Sequence, residues 1–591
     1  MTGSSDVADP PLDLMAEALH DHLAALYGEG ATRDVGAFAS ELLRLVDGHA
    51  QAHVQGNGDR WDSGTSVLIT YADTVRRQGE DSLRILRQVV ADHLHHLGSI
   101  VHVLPFLRST SDGGFAVVDH SRLEDRFGDW DDLSYVGELR PLMADLVLNH
   151  ISSFHPWVRQ FRRGAEPGQR LVLAPSSRKG WNEVVRPRSS SLFTDVSTGS
   201  GPRPLWTTFG PDQVDLDWRQ PDVLRHFCEL MLQFCRHGVR WIRLDAVGFL
   251  WKTPHTSCIH LPEAHRVVKV LRLLLERAVP GGVMVSETNV PEEENLSYVR
   301  PGDEAHLAYN FPLPPLLLEA LISGRADLLN GWLVRWPDLP AGTGLLNFSA
   351  CHDGVGLRPL EGLMEEERLL RLLQACEQRG GLVSHRRLAD GRERPYEINI
   401  SWWSAMEDRG PDRSRWQQRR FLVSQLLMMA LQGVPAFYLP ALLASENDRS
   451  AFARTGQRRD LHRERFDAER LERLLGDPEA PATINLRQLS KAMAIRRELP
   501  AFHPESPMVC LSGHRPTLVV LRRGQGEQTV WAVHSLTAAN TNLNLNTLLD
   551  DGDDPTVWSW VDRLQGRSLR TQWLPLAPYE VFWLQRQRGQ G

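Results

Sequence analysis

Three acidic residues, far apart along the chain, each follow a short apolar run of the kind that forms a buried β-strand. Asp245 ends the run VRWIRLD, Glu287 follows VMVS, and Asp353 ends SACHD. Carboxyl groups brought together in this way suit cleavage of a glycosidic bond with retention. One carboxylate attacks the anomeric carbon, and one carboxylic acid protonates the leaving oxygen. A third acid can orient the sugar hydroxyls.

Arg243 and Asp245 place two opposite charges inside one apolar run. Side chains alternate along a strand, so both residues share a face. A buried arginine is tolerated beside a carboxylate because each charge compensates the other, and the pairing predicts that Asp245 stays ionised. The pair by itself fits a structural ion pair as well as catalysis. Acids and histidines at other strand ends, among them His150 and His352, favour a catalytic cluster.

The elements that must position these residues follow a regular rhythm from about residue 61. Short apolar runs alternate with longer amphipathic stretches, such as PDVLRHFCELMLQFCRHG, whose apolar positions recur every three and four residues. Alternating strands and helices predict a parallel sheet, and eight such pairs predict a closed (β/α)8 TIM barrel of the α/β class. The eight runs cover residues 66–73, 100–106, 142–150, 239–247, 282–289, 306–311, 344–353 and 433–440.

Other segments depart from this rhythm. Residues 151–216 are rich in Pro, Gly and Ser and are too long for a βα loop, which predicts a domain inserted after the third strand. The last segment alternates short strands without helices. We therefore divide the chain into a helical extension at 1–60, the barrel at 61–150 and 217–504, the insert, and a C-terminal antiparallel β domain at 505–591.

Bulk properties narrow the functional classes. The chain has 591 residues, of which 42% are hydrophobic and 24% charged, as in ordinary globular proteins. A net charge of −8 without a basic stripe argues against nucleic acid as a partner, and no apolar run reaches the roughly 18 to 20 residues of a membrane span. The six scattered cysteines and an N-terminus without secretory features predict a cytoplasmic protein without disulfides.

Four of the motifs, DLVLNH, IRLDAV, SETN and CHD, resemble in order and spacing the signature regions of glycoside hydrolase family 13, the α-amylase superfamily. The resemblance implies that Asp245 is the nucleophile, Glu287 the general acid/base and Asp353 the transition-state stabiliser. It implies that Arg243, His150 and His352 line the glucose subsite, and that the insert and the C-terminal domain correspond to the family's domains B and C. Further candidates for substrate contact are Asp112, Phe115, Phe209, Gln213 and Glu397.

Other motifs are similar to the sucrose phosphorylase branch of this family, including SDGGFAVVDH, HDGVGLRPLEG and RPYEINISWWSAM. The N-terminal helices and LWTTFGPDQVDLDW are most similar to the glucosylglycerate phosphorylases of that branch. This resemblance implies a retaining phosphorylase that moves glucosyl to inorganic phosphate and gives α-glucose 1-phosphate, with 2-O-α-glucosylglycerate as the expected donor. Sucrose or sucrose 6-phosphate as donor, a hydrolase or transglucosidase, and a non-catalytic carbohydrate-binding barrel stay open as alternatives.

Cationic residues follow two of the strands. VVRPRSSSLFTDV is similar to the Arg-Pro-Arg loop with which the branch engages phosphate, which makes Arg186 and Arg188 candidates. The excursion after the seventh strand supplies His385 and Arg394 as candidates for an anionic acceptor group. Charge runs are usually solvent faces, so both pairs also fit exposed loop charges. Phe115 and Phe209 fit either an apolar rim that excludes water or core packing.

We expect no resident metal or cofactor, with a sugar and inorganic phosphate as substrates and a monomer or homodimer as the assembly. The histidine-rich pieces LHDHLAAL and DHLHHLGSI lack a third ligand at a fitting distance. Asn149 stands where many amylases have a calcium ligand. The insert offers no evident acidic companion that would complete an oxygen cage.

Overall fold

Eight parallel strands close into a barrel in which each strand pairs with the next along the chain and the last pairs with the first. The computed structural model describes residues 12–28, 34–48, 60–388, 392–408, 412, 414–511, 515–549, 557–569 and 571–588. The closed barrel confirms the predicted (β/α)8 fold. Its strands are β1 Val67–Thr70, β2 Ile100–Val103, β3 Leu142–Val147, β4 Val239–Asp245, β5 Val283–Ser286, β6 Leu307–Tyr309, β7 Gly344–Phe348 and β8 Val434–Tyr438.

Each strand is shorter than the apolar run that predicted it. The run at 344–353, for example, leaves the sheet after Phe348. Most of the remaining residues of such runs are buried beyond the carboxyl ends of the strands, so they resemble strand in the sequence although they lie outside the barrel sheet. These loops build the candidate site.

Helices cover the outside of the barrel, and their apolar faces supply its outer core. The helix at Pro221–Arg236 shows why the pattern works: proline occupies its first turn, and its inward side chains, including Val223 and Phe227, are fully buried. The longer helices are α1 Leu12–Tyr27, α2 Val35–Asp47, α3 Ser82–His93, α4 Trp130–Leu139, α5 Pro221–Arg236, α6 Pro262–Ala278, α7 Leu313–Ser323, α8 Glu366–Gln378, α9 Gln417–Ala430 and α10 Pro481–Arg497. Shorter ones are Pro156–Arg163, Gly168–Leu171, Glu292–Leu296, Asp327–Leu333, Trp402–Ala405, Leu439–Leu442, Arg449–Thr455 and Ala468–Gly476.

The two N-terminal helices pack against the barrel rather than standing apart. Both contact α6, and Arg277 of α6 lies 2.5 Å from Asp47 of α2. At the end of α1, the buried Tyr27 hydroxyl donates to the carbonyl of Trp218 at 3.3 Å. The extension therefore shares its core with the barrel.

The insert and the C-terminal segment carry sheets of their own. In the insert, the hairpin of Phe193–Thr198 and Gly201–Trp206 packs on a small cluster centred on Trp206. The C-terminal segment forms a six-stranded antiparallel sheet, as its alternating pattern predicted, and a two-stranded one. The domain limits drawn from the sequence remain a prediction. The strands are Met508–Cys510, Leu518–Arg523, Val530–Ser535, Val581–Arg588, Trp558–Asp562 and Arg567–Leu569 in sheet order, and Thr541–Asn544 with Trp573–Leu576.

Among the described residues, no helix combines the length and apolar character that crossing a membrane requires.

Candidate active site

Strand register brings the catalytic candidates together. In the pairing of β4 with β3, Arg243 lies opposite Asp145. Beyond the paired part of β4 and β5, the backbone N–H of Glu287 donates to the carbonyl of Leu244 at 3.2 Å. Because the carboxyl ends of parallel strands meet at one edge, Asp245 and Glu287 emerge side by side.

One guanidinium, that of Arg243, serves three carboxylates. Its Nη1 donates to Asp145 and, at 2.8 Å, to Asp245, while Nη2 lies 3.8 Å from Glu287. The side chain is 1% exposed, and its charge also faces the ring of Tyr309 at 5.3 Å. The prediction that Arg243 and Asp245 pair inside the barrel is therefore correct, but the pair is part of a larger cluster.

Because these carboxylates share one cation, their pKa values shift in different directions. Burial would raise the pKa of Asp145, but Arg243 and His102, whose Nε2 is 2.7 Å away, outweigh it and lower that pKa to about 2. Burial raises the pKa of Asp245 well above its usual range, and Glu287 and Asp145 raise it further against the pull of Arg243. The prediction that the pairing holds Asp245 ionised stays a prediction: Arg243 lowers the pKa of Asp245, but the same guanidinium also bonds Asp145, and burial opposes it.

Glu287 is the second carboxyl whose pKa is raised. Burial raises its pKa and the charge of Asp353 adds to the rise, whereas Arg243 and the backbone N–H of Ala246 oppose it. That N–H donates to Glu287 Oε2 at 3.0 Å because Ala246 takes a left-handed conformation, with φ of 49°. Two neighbouring carboxyls with raised pKa values titrate as a coupled pair. In the form of the pair that carries its proton on Glu287, Asp245 is an anion bonded to Arg243.

Arg459, which the sequence analysis did not single out, organises the other acids. Its Nη1 lies 2.5 Å from Asp353 and 3.7 Å from Asp112, and its Nε and Nη2 donate to Glu397 at 3.2 and 2.8 Å. Burial would raise the pKa of Asp353, but Arg459, His352 and Arg243 outweigh it and hold that pKa well below its usual range. Asp353 is therefore an anion at neutral pH.

These groups surround a cavity at the C-terminal mouth of the barrel. Its wall brings together most of the predicted side chains, namely Asp112, Phe115, His150, Arg188, Phe209, Gln213, Asp245, Glu287, His352 and Asp353. Further lining residues that the sequence analysis missed are Asn289, Arg358, Tyr396 and Arg459.

A tight turn fixes one side of the cavity. Asp112 has φ of 52°, and Gly114 has φ of 107° with its Cα so close to Pro105 that an added Cβ would lie 2.5 Å from the Pro105 carbonyl oxygen. The turn presents the ring of Phe115, which stacks on His352 with ring centres 5.0 Å apart. His150 Nε2 lies 2.9 Å from the Phe115 carbonyl oxygen, which holds the imidazole against this wall.

Some predicted residues lie elsewhere. Arg243 and Glu397 sit behind the wall, where they bond the acids and Arg459. Arg186 donates to the carbonyl of Ser190 instead of lining the cavity, and burial lowers its pKa. His385 and Arg394 are exposed and do not reach the cavity. They lie on the hairpin of Leu382–Arg387 and Glu393–Asn399, whose inner end at Tyr396 and Glu397 is the part that meets the site.

A lysine lies beside Asn149, the residue that stands where many amylases have a calcium ligand. Asn149 Nδ2 donates to Asp215 Oδ2 at 3.0 Å, so one acidic residue of the insert lies beside Asn149, and the expectation that the insert completes no oxygen cage stays a prediction. Lys252 Nζ lies 2.7 Å from Asn149 Oδ1 and 2.6 Å from Asp215 Oδ2, and its side chain is 3% exposed. The ammonium group thus supplies a positive charge between two oxygen ligands.

Metal-ligating side chains gather at one more point. Across the described ranges, the group of three such residues whose ligand atoms lie within 4.8 Å of one another is Cys351, His352 and Asp353. Asp353 is bound to Arg459, and the buried His352 ring stacks on Phe115, with its pKa lowered by burial. His352 and Asp353 already have roles in the wall of the cavity.

Comparison with known proteins agrees with this site. Residues 89–330 match the catalytic domain of alpha amylase. A glucosylglycerate phosphorylase of Allomeiothermus silvanus is 36% identical over 96% of this chain and 98% of its own length, and one of Escherichia coli is 32% identical over 96% and 100%. The crystal structure of sucrose 6F-phosphate phosphorylase from Thermoanaerobacter thermosaccharolyticum has a TM-score of 0.69 at 23% identity and covers 81% of this chain and 95% of that one. The chain belongs to glycoside hydrolase family 13, in its sucrose phosphorylase branch.

Proposed function

We propose that this enzyme is a retaining phosphorylase that transfers glucosyl from 2-O-α-glucosylglycerate to inorganic phosphate and releases α-glucose 1-phosphate and glycerate. The observation that carries the proposal is the composition of the cavity wall. Asp245 and Glu287, two carboxyls with raised pKa values, stand beside arginines, and the guanidinium of Arg188 has no carboxylate within ion-pair distance in the described ranges. The names of the two relatives, which align along nearly their whole length, support the choice of donor.

In the first half of the reaction, Asp245 attacks the anomeric carbon while Glu287 gives its proton to the departing oxygen of glycerate. Arg243 bonds the attacking carboxylate at 2.8 Å and so fixes its direction. Asp353, kept anionic by Arg459, orients sugar hydroxyls as the ring flattens. The product is a glucosyl ester of Asp245.

In the second half, phosphate takes the glucosyl group from Asp245 and Glu287 recovers its proton, so that the configuration is retained overall. The buried rings of Phe115 and His352 keep water from this ester. The guanidinium of Arg188, which lies over the ring of Tyr396 at 5.2 Å, provides positive charge for the phosphate. In this proposal the reaction uses no resident metal or cofactor, and the enzyme works in the cytoplasm as a monomer or homodimer.

A phosphorolysis screen tests the donor. Purified protein is given phosphate with glucosylglycerate, glucosylglycerol, sucrose or sucrose 6-phosphate, and the initial rate of glucose 1-phosphate release is measured. We expect kcat/KM for glucosylglycerate to exceed that for sucrose by at least about tenfold. Sucrose lacks the glycerate group and would leave a buried polar group of the acceptor site unpaired, which costs about 1.4 kcal/mol or more. A preference for sucrose would refute the proposed donor. Release of free glucose at full rate without phosphate would identify a hydrolase.

The pH dependence of the first half-reaction follows from the pKa values of Glu287, which gives the proton, and of Asp245, which attacks. We expect kcat/KM for glucosylglycerate to be bell-shaped, with the alkaline limb set by loss of the Glu287 proton. Since burial raises the pKa of Glu287, this limb lies above the usual carboxyl range. The acid limb also lies above that range, because burial and Glu287 raise the pKa of Asp245, which must be ionised to attack.

α-Glucosyl fluoride provides the control, since fluoride departs without needing a full proton transfer. With this donor, initial rates at several pH values are expected to show a weaker alkaline limb and an unchanged acid limb. An alkaline limb of the same steepness for both donors would exclude Glu287 as the acid.

A further inference from the structure

Arg358, in the motif HDGVGLRPLEG after β7, is a buried cation that pairs with no carboxylate among the described residues. It lines the cavity and is 8% exposed, and its Nε is buried without a hydrogen-bond partner. In the described part of the chain, no carboxylate lies within ion-pair distance of its guanidinium. Burial of an uncompensated charge is costly, so such a group in a binding cavity indicates a ligand of opposite charge.

The acidic residues nearest to Arg358 are engaged elsewhere. Glu361 accepts from Arg386 Nη2 at 2.6 Å, and Glu294 lies 3.3 Å from His260 Nε2. Burial lowers the pKa of Arg358, and the positive charge of Arg386 lowers it further, against the weaker pull of Glu361 and Glu294. No single neighbouring carboxylate therefore offsets both the burial of Arg358 and the charge of Arg386.

The backbone brings the loop that carries this charge against the loop that follows the general acid. Gly356 packs so closely on Asn289 that an added Cβ would lie 2.6 Å from Asn289 Nδ2. This approach brings the loop that carries Arg358 against the loop that follows Glu287. Asn289 Oδ1 is itself buried without a partner, so it offers an acceptor for a hydroxyl of the bound molecule. Asn289 and Arg358 line the same cavity as Glu287, the residue that protonates the leaving group.

The guanidinium of Arg459, by comparison, is paired with the carboxylates of Asp353 and Glu397. We propose that Arg358 binds the carboxylate of the glycerate leaving group and that this contact selects an anionic acceptor. This inference rests on the proposed function, and it gives Arg358 a task separate from that of Arg188. The planar guanidinium can hold a carboxylate through two parallel hydrogen bonds, which fixes the orientation of the leaving group next to Glu287.

The test compares two donors in the Arg358→Met variant. In a two-step reaction through a covalent intermediate, kcat/KM for the donor reports the first half alone and does not depend on how phosphate binds. We expect kcat/KM for glucosylglycerate to fall by at least about 100-fold, as for removal of one partner of a buried charge pair. For α-glucosyl fluoride, which has no carboxylate, we expect a change of less than about threefold. Arg358→Lys is expected to recover part of the loss.

Arg473→Met makes the same chemical change at a side chain that is 72% exposed and serves as the matched control, with both rates unchanged. An equal fall for both donors, or no fall for glucosylglycerate, overturns the assignment. Activity on α-glucosyl fluoride shows that the variant is folded. Failure of the proposed function is distinct, because the wild-type enzyme would then convert α-glucosyl fluoride and phosphate to glucose 1-phosphate but would leave glucosylglycerate unchanged.

Discussion

Asp245→Asn is expected to lower kcat for phosphorolysis by at least about 10⁴-fold, the order of effect seen when a nucleophile is removed from a preorganised site. The amide keeps the size of the side chain and an oxygen that can accept from Arg243, whose Nη1 lies 2.8 Å from the wild-type carboxylate. It cannot form the glucosyl ester. Initial rates of glucose 1-phosphate release from glucosylglycerate measure the loss.

The stability of this variant separates chemistry from folding. Burial raises the pKa of Asp245 above that of an unfolded chain, so the ionised carboxyl destabilises the fold at pH values above its unfolded pKa. An amide removes that cost, and we expect the thermal unfolding midpoint at neutral pH to be at least as high as in the wild type.

Glu287→Gln is the companion variant: with α-glucosyl fluoride and no phosphate it should accumulate a glucosyl ester detectable by intact mass, whereas Asp245→Asn should not. An ester in Asp245→Asn would place the nucleophile elsewhere.

The fold was predictable because its pattern is local. Each barrel strand buries both faces and reads as an apolar run, and each following helix repeats its apolar positions every three and four residues. The eight runs therefore located all eight strands. Their ends were less predictable, since Ser349, Cys351 and His352 are as buried as the residues of β7 but have left the sheet. Burial and strand pairing are different properties, and apolar character reports the first.

The same limit applies to the site. Asp245, Glu287 and Asp353 could be found because each follows a barrel strand, and strand ends converge in this fold. The ionisation state of Asp245 could not be predicted from the sequence. It depends on Asp145, which also bonds Arg243, and the strand register that brings these residues together is not visible in the sequence. His385 and Arg394 have the charge of an acceptor site, but the direction of their hairpin keeps them outside the cavity. Arg358 belongs to the motif HDGVGLRPLEG, but only the tertiary structure shows that no carboxylate of the described residues pairs with it.

Arg459 shows most clearly what local patterns omit. It lies well beyond the end of β8, on the short helix Arg458–His462, in a stretch rich in arginine and glutamate that resembles a solvent face. Its exposed neighbour Arg458 fits that description. Arg459 turns inward and holds Asp353, Glu397 and Asp112 together through one guanidinium. The folding of the whole loop decides which of the two adjacent arginines enters the site.

Arg459→Met is expected to lower kcat/KM for glucosylglycerate by about 10³-fold, since removal of one partner of a buried charge pair costs about 2 to 5 kcal/mol and each 1.4 kcal/mol is tenfold. Methionine fills much of the volume but leaves Asp353, Glu397 and Asp112 to repel one another. Arg458→Met, the same change one residue away on an exposed side chain, should retain wild-type rates within about twofold. Arg459→Lys should keep part of the activity, because a point charge cannot reproduce the fork that bonds Glu397 at 3.2 and 2.8 Å.

The pH profile of Arg459→Met distinguishes an electrostatic role from a merely structural one. In the wild type, Arg459 lowers the pKa of Asp353, so the stability gained from ionised Asp353 is present above the unfolded carboxyl pKa and is lost as the pH falls through the lowered value. Without the guanidinium, burial raises that pKa unopposed by its main partner. The acid limb of kcat/KM should then move to higher pH, and the residual activity should recover partly as the pH is raised. A variant that is uniformly weakened at every pH, with the acid limb of the wild type, would mean that Arg459 only packs the loop and that Asp353 is kept ionised by other groups.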